Sequence, residues 1–116
     1  MPRTSVFDMK LAKVYPALVA KAERKGRTAS EVDACTAWLL GYTPEQIRAA
    51  VASDVTYGDF FREAPGVNPA ADLVTGTICH VKIAEIEDPV LQNMRRLDKM
   101  VDELAHGKPL EKVLRS

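Results

Sequence analysis

Helix start and stop signals are set so closely along this chain that they divide most of it into short helices before any hydrophobic pattern is read. Thr28 and Glu31 have capping-box spacing, in which the N-cap hydroxyl and the N3 side chain each satisfy a backbone N–H that the first turn leaves orphaned. Thr43 and Gln46 repeat that spacing, with Pro44 at a first helical position where a missing N–H is no loss. Thr56, Asn68-Pro69 and Asp88-Pro89 supply further starts, and Gly26, Gly41 and Gly107 supply stops. Glycine suits those stops because it alone enters the left-handed C-cap conformation without a Cβ penalty.

Apolar spacing fills in the segments so defined. Phe7 and Asp8 read as a staple and N-cap for a turn running to about Val14. Pro16 then opens a helix with Tyr15, Leu18, Val19 and Ala22 on one stripe, ending in Lys21, Arg24 and Lys25, which complement its dipole. A second helix carries Val32, Cys35, Trp38, Leu39 and Tyr42, a third Ile47, Ala50 and Val51, and a short fourth Tyr57, Phe60 and Phe61. Residues 64–69 are a loop by composition. Thr75, Thr77, Ile78, Val81 and Ile83 favour a strand while their flanks favour helix, and one strand alone has no partner. The longest helix runs from Asp88-Pro89 to Gly107, and Pro109 begins a final turn with Leu110, Val113 and Leu114. The fold expected is therefore mostly all-α, one domain over residues 1–116. It has five or six short helices with the Pro89 to His106 helix as the spine, and a short strand near 77–83 is the main alternative.

At 116 residues the chain has the length of one domain, and 47% hydrophobic with 28% charged residues is the composition of a globular protein rather than a disordered one. No apolar run reaches membrane-spanning length, and the first twenty residues alternate charged and apolar positions, so neither a membrane span nor a signal peptide is expected and the location expected is cytoplasmic. Cys35 and Cys79 stand far apart and outside any Cys-x-x-Cys pair, which argues for reduced thiols and against a disulfide framework or zinc knuckle. Net charge is zero but segregated: residues 1–27 hold seven basic and two acidic groups, residues 28–93 three and ten, and residues 94–116 six and four. Pairing of a basic arm with an acidic middle, within the fold or across a dimer, leaves little field for a polyanion.

Several phrases in this order are distinctive: Val14-Tyr15-Pro16, Lys21-Ala22-Glu23-Arg24-Lys25-Gly26-Arg27-Thr28, Glu31-Val32-Asp33 and Gly41-Tyr42. Phe60-Phe61, Ala64-Pro65, Asn68-Pro69, Ile86-Glu87-Asp88-Pro89 and Leu97-Asp98-Lys99 through Gly107-Lys108 continue the pattern downstream. Together they resemble an uncharacterised bacterial family, domain of unknown function 2200, over nearly the whole chain. The resemblance implies a small bacterial cytosolic protein and brings no activity with it. His80 departs from the pattern, which places a glycine after the cysteine.

Four groups of residues invite a chemical reading. The turn Leu40-Gly41-Tyr42-Thr43 with Ala37 and Ile47 has the small, glycine and apolar positions of a helix-turn-helix. Its second helix offers Arg48 as sole cation beside Glu45, so Arg24, Lys25 and Arg27 would have to supply the remaining phosphate contacts, and nucleic acid is not the expected partner. Cys79 and His80 pair a nucleophile type with a base type, but neighbours in sequence diverge in a strand and in a helix alike, and an inert thiol is the plainer reading. Asp98, Asp102 and His106 line one helix face at four-residue steps, a spacing that fits metal ligands if a second segment such as Glu85-Ile86-Glu87-Asp88 contributes; ordinary ion pairs with Arg95, Lys99 and Lys108 are the plainer reading. The seam Val90, Met94, Leu97, Val101 and Leu104 holds a/d spacing for two heptads, short for a coiled coil, so burial in the chain's own core is preferred to a dimer seam.

No glycine-rich phosphate loop, Ser-x-Gly elbow or His-Glu-x-x-His pattern occurs, and nothing in the sequence asks for a cofactor. The expectation is an interaction or regulatory protein, with a protein partner or a second copy of itself. A small enzyme or metal-binding protein built on Asp98, Asp102 and His106 or on Cys79 is the alternative, and a DNA-binding protein the third reading.

Overall fold

Both capping boxes form. In the computed structural model, which describes residues 6–78 and 81–114, Thr28 caps α2 (Ala29–Leu40) and Thr43 caps α3 (Pro44–Val51), each in reciprocal exchange with its N3 side chain. Thr56 caps α4 (Tyr57–Arg62) and Asp88 caps α5 (Pro89–Ala105) through their side-chain oxygens. The chain closes with α6 (Leu110–Val113). Short 3-10 turns occupy Val6–Asp8, Pro69–Leu73 and Ile83–Glu85. The fold is mostly all-α, six α-helices among the described residues, as the punctuation implies.

The first helix departs from the sequence reading. α1 runs Leu11–Glu23 without a break, so Pro16 lies inside it rather than at its first position, and Lys10, not Asp8, is its N-cap. A proline there deprives the Ala12 carbonyl of its usual partner. Ala12 and Pro16 are four residues apart on the exposed face, where an orphaned carbonyl can be met by solvent instead of being buried unpaired, and the helix continues. The start of α1 is set instead by a strap: the Leu11 N–H donates to the Val55 carbonyl at 3.0 Å and the Tyr57 N–H to the Met9 carbonyl at 2.7 Å. This pairing joins positions far apart in sequence, and no local pattern announces it.

The uncertain stretch resolves as a minimal antiparallel hairpin, β1 (Thr77–Ile78) with β2 (Val81–Lys82), in which Thr77 faces Lys82 and Ile78 faces Val81. The strand finds its partner in its own continuation. Gly76, at φ +104°, leads into it, and the Ile83 N–H closes back on the Gly76 carbonyl at 3.0 Å.

α5 is the spine. Met94, Leu97, Met100, Val101 and Leu104 are buried against α1, α2, α4 and α6, with Val90 half-buried at its start. The heptad-spaced seam is thus taken up within the chain's own core, where its apolar area stabilises the monomeric fold. A radius of gyration of 13.3 Å suits one compact domain, for which about 13 Å is typical at 100 residues.

Gly41 ends α2 at φ +84° and has a second duty. A Cβ on it would stand 2.8 Å from the Gly66 carbonyl oxygen, because the loop after α4 crosses here. Gly66 N–H donates to Leu40 O at 3.1 Å and Asn68 N–H to Leu39 O at 2.9 Å, so this loop satisfies carbonyls that the helix end leaves orphaned.

Candidate functional site

The residues singled out by sequence do not converge. Cys79 and His80 lie outside the described residues, while Cys35 is a fully buried core thiol. Asp98, Asp102 and His106 do share a face of α5, but their side chains are already engaged. Asp98 pairs with Arg95 at 3.2 Å, Asp102 with Lys21 of α1 at 3.2 Å, and His106 Nδ1 lies 2.7 Å from the Asp102 carbonyl oxygen. Burial raises the Asp98 carboxyl above the ordinary aspartate value, with Arg95 pulling the other way. Among the described residues no three His, Cys, Asp or Glu side chains gather as a metal ion requires.

The basic candidates also separate. Arg24 and Lys25 are exposed at the end of α1. Arg27 turns inward: its Nε donates to both Glu31 oxygens at 3.1 Å, Nη2 to Glu31 Oε2, and Nη1 to the carbonyls of Leu104 at 3.1 Å and Lys108 at 2.8 Å. Its guanidinium clips α2 to the end of α5. Arg48, on the would-be reading helix α3, spans to Asp33 of α2 at 2.9 Å.

That last pair leads to a site that the sequence reading did not single out. Asp33 is buried in the middle of α2, its side chain only 8% exposed. Tyr15 of α1 donates to its Oδ1 at 2.6 Å, and Arg48 of α3 donates to its Oδ2 at 2.9 Å. Thr36, one turn along α2, lies 3.2 Å from the Tyr15 oxygen and donates to the Val32 carbonyl at 3.1 Å. Burial, and then the hydrogen bond given to Asp33, push the Tyr15 hydroxyl far above the ordinary tyrosine range. It stays a donor at any physiological pH.

This network floors a cleft of about 330 Å³ between α1, α2 and α3. Val19, Ile47 and Val51 give it apolar walls, Ala29 and Ala52 keep it open, and Arg48 stands in its lining with a side chain 64% exposed. Each helix contributes because of its own local signals: the stripe of α1 delivers Tyr15 and Val19, and the Gly41 turn folds α3 back so that Ile47 packs inward. An apolar hollow with a few convergent polar groups is the usual form of a small-molecule site. The signal available in the sequence was a carboxylate set directly beside buried Val32, with a threonine three residues on and a tyrosine in the apolar stripe of the preceding helix.

Comparison with known proteins agrees with the architecture and adds no ligand. Residues 5–115 match the family described as uncharacterized protein conserved in bacteria, DUF2200. The chain is also similar to a crystal structure described as uncharacterized protein SP1917, with 50% sequence identity, a TM-score of 0.92, and coverage of 97% of this chain and 94% of that one. No curated protein matches the chain.

Proposed function

We propose that this chain, which belongs to the bacterial family DUF2200, is a small cytoplasmic binding protein of regulatory type that takes its ligand in the cleft between α1, α2 and α3. No helix among the described residues is long and apolar enough to cross a membrane, which suits that location. The observation that supports the reading is the buried Asp33 carboxylate, held by Tyr15 and Arg48 beneath an open apolar hollow. As packing alone, this arrangement is expensive. The Asp33 carboxylate is taken out of water with a charge partner that is itself mostly exposed, a costly burial, and Val19 and Val51 stay half-buried at the hollow, where a ligand would complete their burial.

Partner proteins belong to the same reading, a second copy of the chain among them, but they would dock elsewhere than the heptad seam. Met94, Leu97, Val101 and Leu104 are fully used inside the fold.

Methyl-resolved NMR with a library of small acids, amines and neutral metabolites tests the proposal. Saturable shifts clustered on the methyls of Val19, Ile47 and Val51 are the expected result. A library that leaves those methyls unmoved, or moves surface methyls at random, overturns it.

A further inference from the structure

The cleft has a polarity that selects among ligand classes. Only Nη1 of Arg48 is engaged among the described residues, by Asp33 at 2.9 Å and by the Pro44 carbonyl at 3.3 Å. The Nε–Nη2 edge of the guanidinium is left open, and that edge presents two parallel N–H donors suited to a carboxylate. Both oxygens of Asp33 are occupied, one by Tyr15 and one by Arg48. The ion pair is thus oriented, with its negative end inside the helices and its positive end at the solvent-exposed residue: the Asp33 side chain is 8% exposed and that of Arg48 64%.

Resting on the reading of the cleft as a ligand site, we propose that its ligand is a small monocarboxylic acid with a compact apolar body. Its carboxylate would pair with the free edge of Arg48, and its hydrocarbon part would lie against Val19, Ile47 and Val51. An anion adds to the existing network without breaking any bond in it. A cationic ligand would meet the exposed Arg48 charge in the lining and be repelled by it before it could share the buried Asp33. A neutral ligand offers the guanidinium at most an uncharged acceptor, a weaker and usually single hydrogen bond in place of a bidentate ion pair. Size points the same way. A volume of about 330 Å³ lies at the low end of ligand sites, which run from about 300 to 1,000 Å³. It has room for a compact acid rather than a peptide segment. Asp33 acts here as the group that positions Arg48, and Tyr15, a permanent donor, holds Asp33 in turn.

Calorimetry and methyl NMR on the intact protein with 4-methylpentanoate, 4-methylpentanamide and 4-methylpentylamine test this, since the three share one carbon skeleton and differ only in the head group. The acid is expected to move the methyls of Val19, Ile47 and Val51 and to bind at least tenfold more tightly than the amide. Arg48→Gln, which takes the charge partner from Asp33 but alters a mostly exposed side chain, should reduce acid binding tenfold or more, and Arg48→Lys should restore only part of it, with melting curves confirming that both variants fold. Equal binding of amide and acid, tighter binding of the amine, or acid binding indifferent to Arg48→Gln each overturn the carboxylate assignment. In those cases responding cleft methyls would still support the binding site itself. Cleft methyls silent to all three compounds and to the wider library would overturn both proposals.

Discussion

Arg27 reaches across the molecule to donate its Nη1 to the carbonyl oxygen of Leu104 at 3.1 Å, and the same nitrogen donates to Lys108 O at 2.8 Å. One guanidinium, paired with Glu31, therefore gives the Leu104 carbonyl a second donor beside the Gly107 N–H at 3.0 Å, and gives the Lys108 carbonyl, just past the end of α5, a charged one. Replacing Arg27 with Ala should lower stability by about 2 kcal/mol, within the range for hydrogen bonds to charged groups. Lys should recover less than half, because a point charge cannot bridge Glu31 and two carbonyls at once. Urea unfolding of the three proteins measures this, and a Lys variant as stable as the parent would show that charge alone matters.

The same contact makes stability depend on pH. The Glu31 carboxyl is held below its ordinary value, chiefly by the hydrogen bonds from Arg27. A carboxyl whose folded-state pKa is depressed contributes stability that is complete above its unfolded value, about 4.3, and is lost as pH falls through the folded value. Glu31→Gln keeps the capping box and removes the charge. The stability gap between parent and variant should be full at neutral pH and close on acidification below the ordinary glutamate range. A gap that stays constant on acidification would assign the effect to hydrogen-bond geometry.

Gly41 and Gly26 allow backbone conformation to be separated from close approach. Both are left-handed, at φ +84° and +80°, but a Cβ at Gly26 would meet nothing within 4 Å, while one at Gly41 would stand 2.8 Å from Gly66 O. Gly26→Ala should cost about 1–2 kcal/mol for the left-handed conformation alone. Gly41→Ala should cost clearly more, since backbone must shift and the Gly66 and Asn68 bonds to α2 loosen. Thermal melts of both variants compare them directly, and equal losses would mean that the loop yields freely.

Tyr15→Phe removes the donor that holds Asp33 Oδ1 and leaves that buried oxygen unpaired. A loss of about 1–3 kcal/mol is expected, visible in urea unfolding. In the double variant with Asp33→Asn the two losses should not add, because both residues belong to one network. Strict additivity would show that the hydrogen bond is energetically idle.

Much of the architecture was legible because its causes are local. The caps at Thr28, Thr43, Thr56 and Asp88 and the stops at Gly26, Gly41 and Gly107 each act within one helical turn, and the structure places all of them as read. The a/d seam on α5 also specified which face is buried. α1 was misjudged because a rule about proline, valid for unsupported helices, gave way to the strap between Met9-Lys10-Leu11 and Val55-Thr56-Tyr57. The candidate site was less legible still. Asp33 and Arg48 are 15 residues apart, and Tyr15 is 18 residues before Asp33. Each fits an unremarkable helical position by itself.

The sequence alone thus determined the helices, their ends and the buried face of the spine, since capping, left-handed glycine and periodicity involve neighbours within a turn. Only the tertiary structure decided which helices meet. Because charge pairs and clefts arise from that meeting, it alone turned Arg27 into a clip, Asp33 into a buried anchor and the space between α1, α2 and α3 into a site.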